Sequence, residues 1–222
     1  MRYLYSEYAG GDTIKLISDE YHYLAKVRRV KVSERVFLRN LKDNYLYIYK
    51  ILRIDRKSIL LKLIEKRESI ALSKRKLHIG WCVIDTKNIQ KSLPYLNEIG
   101  VDRVTFIYCQ RTQKSYKINM ERLHKILISS SQQCGRSTIM KLDTSKNLHH
   151  FLEDNPNAYL LDFGGKKIDS SMSLESIVVG AEGGFSQVER ELFKERLVGF
   201  DTELTLQSHS AVVSVASILL LS

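Results

Sequence analysis

The stretch Ile177-Val178-Val179-Gly180-Ala181-Glu182-Gly183-Gly184-Phe185-Ser186-Gln187-Val188-Glu189 decides how this chain is read. A short apolar run breaks into a glycine-rich bend and restarts as a helix. Ser186 followed three residues later by Glu189 is a capping box, which predicts a helix beginning just after Ser186 and running through Glu191, Leu192 and Phe193. A strand before the bend and a helix after it pin the loop at both ends. Three glycines in five residues remove the Cβ atoms that would hold a ligand off the main chain, and they permit positive φ where the path turns sharply. The bend is therefore read as a place where a ligand lies directly on backbone. A tight turn with no ligand is the plainer alternative.

The ligand can be narrowed by elimination. The bend is not Gly-x-x-x-x-Gly-Lys-Ser/Thr, and the spacing of Gly180, Gly183 and Gly184 does not fit Gly-x-Gly-x-x-Gly. Glu182 inside a phosphate cradle would repel the phosphates, whereas it tolerates or favours a ligand carrying positive charge.

Outward from the bend, residues 77 onward alternate strand and helix. His78 to Ile84 reads as a buried strand, Ile89 to Ile99 as an amphipathic helix closed by Gly100 with Pro94 inside it, and Val104 to Tyr108 as the next strand. A helix over Asn119 to Ser131, strands at Ala158 to Phe163 and Ile177 to Val179, and a last helix around Ala211 to Leu221 complete the pattern. Such alternation predicts an α/β domain built on a parallel sheet, with ligands beyond the carboxyl ends of its strands. The glycine bend lies at one such end.

The first 70 residues differ in kind. Val36 to Leu38, Tyr45 to Tyr49 and Ser58 to Ile64 are β-rich runs separated by turns at Lys42 to Asn44 and Asp55 to Lys57, which predicts a small β-barrel. Asp19 to Val27 reads as its one helix, leading into Arg28-Arg29-Val30-Lys31. Two domains follow, residues 1–70 and 71–222.

Charge separates them as well. Residues 1–76 hold 19 Lys and Arg against 9 Asp and Glu, while residues 77–222 hold 16 of each sign, so the whole excess of +10 is N-terminal. That asymmetry points to a polyanion held by the first domain, nucleic acid before a membrane surface. Eight of the twelve tyrosines fall within the first 49 residues, among these bases. They are placed either to stack on unpaired bases or to pack the barrel.

No apolar run reaches the length of a membrane span, and the N-terminus lacks the apolar core of a signal peptide. Cys82, Cys109 and Cys134 are odd in number, widely spaced and form no Cys-x-x-Cys pair, and are read as reduced residues of a cytoplasmic protein. The six histidines, including the adjacent His149 and His150, show no ligand spacing, and no metal is expected.

Four segments resemble one known family, the small-subunit (16S) ribosomal RNA uridine N3-methyltransferases of the RsmE type, within the SPOUT superfamily. His22 to Val30 is similar to the run that opens the family's PUA-like RNA-binding barrel, and Asn97-Glu98-Ile99-Gly100-Val101 to its Glu-Leu-Gly-Val helix end. Ser131 to Arg136 resembles its Glu-Gln-Ser-x-Arg segment, and Gly180 to Phe185 its Gly-Pro-Glu-Gly-Gly-Phe loop. Together they span nearly the whole chain. The resemblance implies a PUA-like β-barrel followed by a SPOUT domain whose tail threads through a loop as a trefoil knot, against the usual absence of knots. It further implies a homodimer, with S-adenosylmethionine bound bent in the knot's loops. The residues expected against that cofactor are Leu161 and Phe163, then Gly180, Glu182, Gly183 and Gly184, then Thr205, Leu206, Ser208, Ser210 and Ala211. RNA contacts are expected at Lys26, Arg28, Arg29 and Lys31.

The chain departs from the family at Ala181 in place of proline, Gln132 in place of glutamate, Gln207 in place of arginine and His209 in place of glutamate. Methyl transfer needs the acceptor nitrogen in line with the methyl carbon, and uridine N3 must lose its proton. Arg136 and Arg111 are the candidate catalytic donors to the uridinate oxygens, or else phosphate contacts or surface ion pairs. His209 is a base or a helix-start packing residue. Two rival readings stand beside this one: a non-catalytic RNA-binding or ribosome-assembly protein of the same fold, and a ribose 2′-O-methyltransferase.

Overall fold

The computed structural model describes residues 2–113 and 115–221. The chain divides into two compact units, Met1–Leu72 with Ile128–Ile139, and Ser73–Leu127 with Met140–Ser222.

The first unit holds β1 (Leu4–Tyr5), β2 (Thr13–Ile17), α1 (Ser18–Tyr21), β3 (Arg35–Arg39), β4 (Tyr45–Ile54) and β5 (Ser58–Glu68). They form one sheet in the order β1-β3-β4-β5-β2, parallel at β1–β3 and antiparallel elsewhere. Strand β2 alternates exposed and buried residues along Thr-Ile-Lys-Leu-Ile, the period of two that puts one face on a core. That core gathers Leu16, Leu24, Leu38, Tyr49, Ile51, Ile59 and Leu61.

The expected helix over residues 19–27 is instead a single α turn that continues as a π-helical segment, His22–Val27. It closes with Arg28 N–H donating to the Tyr23 carbonyl at 2.9 Å and Val30 N–H to the Leu24 carbonyl at 3.1 Å, across Arg29 at φ 54°. The tyrosine question divides by residue. Tyr3, Tyr47 and Tyr49 are buried, with hydroxyls bonded to the Arg136 carbonyl, to Asp43 and to the Gly11 carbonyl, so they pack the unit. Burial, followed by the bond to Asp43, pushes the Tyr47 phenol up to about 12. Tyr8 is exposed.

Residues 128–139 join this unit through specific bonds. Arg2 N–H donates to the Gln132 carbonyl at 2.9 Å, Tyr5 N–H to Gln132 Oε1 at 2.8 Å, and Ser137 Oγ–H to Asn44 Oδ1 at 2.8 Å. Ile128 and Ile139 pack against Tyr3, Leu41 and Leu46. Beside the division at Leu72 and Ser73, near the cut that sequence suggested after residue 70, the first unit thus takes in a second segment that begins inside α3 (Met120–Cys134).

The second unit carries a six-stranded, all-parallel sheet of β6 (His78–Cys82), β7 (Arg103–Ile107), β8 (Lys141–Ser145), β9 (Tyr159–Lys167), β10 (Ser176–Val179) and β11 (Leu197–Gly199), in the order β11-β9-β10-β6-β7-β8. Its helices are α2 (Thr86–Ile99), the first part of α3, α4 (Leu148–Asp154), α5 (Gln187–Glu191) and α6 (Ser208–Leu220). Helix α2 starts at its Asp85 cap, earlier than periodicity suggested, runs through Pro94, and stops at Gly100 with φ 107°. Helix α5 has the expected capping box but ends at Glu191, two residues short of Phe193. His78 links β6 to β7 and α4, its Nε2 2.8 Å from Thr105 Oγ1 and its Nδ1 2.9 Å from Asn155 Oδ1; burial lowers its pKa.

The cysteine reading needs correction. Cys82 and Cys109 form a disulfide with Cα atoms 5.8 Å apart, in which Cys134 takes no part. Spacing along the chain hid the pair because parallel β6 and β7, in register at Cys82 and Ile107, bring residues 27 apart side by side. No described helix is long and apolar enough to cross a membrane, and no described group of three or more His, Cys, Asp or Glu could hold a metal ion.

Candidate active site

Strand β10 delivers Val179 to the carboxyl edge of the sheet, and the glycine bend begins there. Gly180 lies against Phe185, whose ring carbon would stand 2.9 Å from an added Cβ, so this position requires a residue without one. Gly184 sits at φ +63° with open space around it; its constraint is backbone conformation. Gly184 N–H closes the turn on the Ala181 carbonyl at 2.9 Å. Ser186 then caps α5: its hydroxyl accepts from Glu189 N–H at 3.2 Å, and Glu189 returns a bond from Ser186 N–H at 2.9 Å.

A cavity of about 380 Å³ opens on this bend, a size suited to a small molecule. Ten of the eleven residues expected at a cofactor line it: Leu161 and Phe163 from β9, Gly180, Glu182, Gly183 and Gly184 from the bend, Thr205 and Leu206 from the segment before α6, and Ser208 and Ala211 from α6 itself. Ser210 is exposed on the first turn of α6 and is not among the lining residues. Gln207, where the family has arginine, is on the wall as the residue preceding α6, and offers no side-chain cap. His209 lies off the lining; its Nδ1 is buried and has no hydrogen-bond partner among the described residues.

Three links hold this wall. Trp81 Nε1–H, fully buried on β6, donates to Ser208 Oγ at 2.9 Å, and the Ser208 hydroxyl donates to the Gly180 carbonyl, joining sheet, last helix and bend. Arg111 Nη1–H donates to the Gly183 carbonyl at 2.6 Å. Arg190 pairs with the shielded Asp162 carboxylate at 2.7 Å. Sequence reasoning missed Asp162, Arg190 and Trp81, since their roles arise from contacts between β9 and α5 and between β6 and α6, which no local pattern encodes.

The charges on the wall are few. Among the described residues that line it, Asp162 and Glu182 are acidic and Arg190 is the one cation, paired with Asp162. The remainder is apolar side chain, main chain and the neutral polar side chains of Thr202, Thr205, Gln207 and Ser208, a setting that accepts a neutral ring and a positive centre.

The two candidate arginines differ in setting. Arg111 is exposed beside the bend. Arg136 belongs to the first unit, is 6% exposed, and donates from Nε to the Thr138 carbonyl at 3.0 Å while its own carbonyl accepts from Tyr3.

On the first unit, Lys26, Arg28, Arg29 and Lys31 are all exposed around the end of the π-helical segment. Strand register adds a second group unread in the sequence: Arg35 stands opposite Lys50, and Lys50 opposite Lys62, so three exposed cations align across β3, β4 and β5. Like charges opposite one another destabilise a sheet, and only Lys62 has a nearby acid, Asp12 at 3.4 Å, among the ion pairs of the described residues. Such a row lowers the stability of the sheet and makes this face cationic.

Two known domain families match the chain in succession. Residues 71–220 match the RNA methyltransferase domain, and residues 16–64 the RNA methyltransferase PUA domain. The ribosomal RNA small subunit methyltransferase E of Helicobacter pylori (strain 26695) is 41% identical over 98% of this chain and 99% of its own length. That of Aquifex aeolicus is 27% identical over 99% of each. Among solved structures, the ribosomal RNA small subunit methyltransferase E of Neisseria gonorrhoeae, bound to S-adenosyl methionine, superposes with TM-score 0.83 at 16% identity, covering 98% of this chain and 95% of that one. The match of the C-terminal domain over most of the chain, with a full-length relative above 40% identity, leads to one conclusion: this chain belongs to the RNA methyltransferase family that carries an N-terminal PUA domain, the family of ribosomal RNA small subunit methyltransferase E.

Proposed function

We propose that this protein transfers a methyl group from S-adenosylmethionine to N3 of a uridine in small-subunit (16S) ribosomal RNA. The observation that carries the reading is the cavity over the glycine bend: ten of the residues expected at the cofactor meet there, and its named relatives are small-subunit RNA methyltransferases.

The wall fits that cofactor. Leu161, Val179, Leu206 and Ala211 offer apolar contact, the bend brings main chain within reach of an adenine ring, and Glu182 favours a positive centre such as a sulfonium. When bound, the cofactor supplies an electrophilic methyl carbon on a sulfonium. The protein's own part is positioning and charge. Arg111, exposed and anchored through Gly183, is the candidate donor to the uridinate oxygens, and Arg136 is the second arginine of the proposal, its Nε already engaged by Thr138. The target base must leave its stack to reach a cavity of this size.

Lys26, Arg28, Arg29 and Lys31, with the row Arg35, Lys50 and Lys62, hold the flanking RNA by its phosphates. A homodimer, a knotted tail and a cytoplasmic location belong to the same reading. The exposed Phe163 and Leu204 on the cavity rim, 72% and 75% accessible, are apolar surface that a second copy would cover.

The test is mass spectrometry of nucleosides from small-subunit RNA or subunits lacking the modification, incubated with the protein and cofactor. The expected product is 3-methyluridine at one position. A 2′-O-methylated nucleoside, or no methylation with intact RNA binding, would favour one of the two rival readings.

A further inference from the structure

Residues 109 to 111 are tied at three consecutive positions, two of them to the bend and its helix. Cys109 is joined to Cys82 on β6, Gln110 N–H donates to Glu189 Oε1 at 2.9 Å, and Arg111 Nη1–H donates to the Gly183 carbonyl at 2.6 Å. Glu189 is 4% exposed, and its other oxygen, Oε2, accepts from Ser186 N–H at 2.9 Å. A capping box needs its glutamate only for the amide at the helix start. Here one oxygen caps α5 while the other reaches a backbone amide 79 residues away in sequence, next to Arg111. A buried acceptor is costly unless bonded, so each oxygen favours keeping its amide in place.

We propose that Glu189 is a positioning residue that locks the segment bearing Arg111 to the first turn of α5, and thereby sets the Arg111 guanidinium against Gly183. Its consequence for catalysis rests on the cofactor reading above; the lock itself needs no ligand. The stem of Arg111 runs close along the bend, its Cβ 3.4 Å from where a Gly183 Cβ would stand, so a small shift of residues 109–111 withdraws the guanidinium from the loop that shapes the cavity.

Glu189→Ala removes both acceptors, and Ser186→Ala isolates the cap. Without cofactor, hydrogen exchange at the Gln110 amide of Glu189→Ala should quicken about tenfold or more. The Kd for S-adenosylmethionine should rise about tenfold, and in an Arg111→Ala background the same substitution should add less than about twofold, because both act along one path. Ser186→Ala removes the reciprocal cap bond and leaves both Glu189 oxygens bonded; it should lower the melting temperature with Kd within about twofold. Unchanged Gln110 exchange in Glu189→Ala, a Kd as little affected as in Ser186→Ala, or an effect fully additive to Arg111→Ala would overturn the proposal. If the wild type binds no cofactor while Gln110 exchange still quickens in Glu189→Ala, the lock stands and the cofactor reading fails.

Discussion

The cationic face of the first unit and the cavity of the second hold their polar groups in opposite ways. Lys26, Arg28, Arg29 and Lys31 are exposed around a π-helical turn, and Arg35, Lys50 and Lys62 align like charges across three strands. Around the cavity, Trp81, Ser208, Arg111, Arg190 and Glu189 each bond to a named neighbour, and much of the wall is main chain. Solvated, adaptable charge suits a long polyanion whose phosphates arrive in varied geometry. Fixed amides and carbonyls suit one small molecule of defined shape. The two surfaces should therefore answer to different perturbations: the first to charge and salt, the second to backbone geometry.

The sharpest way to break that contrast is charge reversal. Arg28→Glu with Arg29→Glu exchanges two phosphate contacts for two repulsions, and RNA affinity should fall by about 100-fold or more with a shallower salt dependence. Cofactor affinity should stay within about twofold, measured by calorimetry on the same preparation. Equal loss of both would mean that the two regions do not divide the work.

A backbone substitution should do the converse with a smaller effect. Gly184 holds φ +63°, and a β-branched side chain in the left-handed region costs about 1–2 kcal/mol. Gly184→Val should therefore weaken cofactor binding about tenfold while leaving RNA affinity unchanged in a filter-binding assay. Because nothing lies within 4 Å of an added Cβ there, loss of fold would contradict a purely conformational role.

The same contrast explains how much of the molecule could be read from residues alone. The capping box at Ser186 and Glu189, the Gly100 stop and the buried runs at β6, β7 and β10 were legible because each is written within a few consecutive residues. Strand β8, Lys-Leu-Asp-Thr-Ser at the sheet edge, has no clean alternation, and α4 and β11 are too short for periodicity to declare them. The π-helical segment looked like ordinary helix, since its bonds differ by one residue and its composition does not. What escaped altogether was non-local: the Cys82–Cys109 bond, the allegiance of residues 128–139, the Asp162–Arg190 pair, and the second duty of Glu189. Family resemblance placed Leu161, Thr205 and Leu206 around the bend, where local pattern alone offered only the glycines.

The central claim is that backbone exposed at the glycine bend, with the first turn of α6 held against it by Ser208, takes a methyl donor. Calorimetric titration of the wild-type protein with S-adenosylmethionine tests it most directly. The account predicts saturable binding with one site per chain and a Kd that changes far less with salt than RNA affinity does, because one small ligand meets few charges where a polyanion releases many counterions. Absence of heat at protein concentrations well above the micromolar range, or binding that vanishes with added salt as RNA binding does, would contradict it.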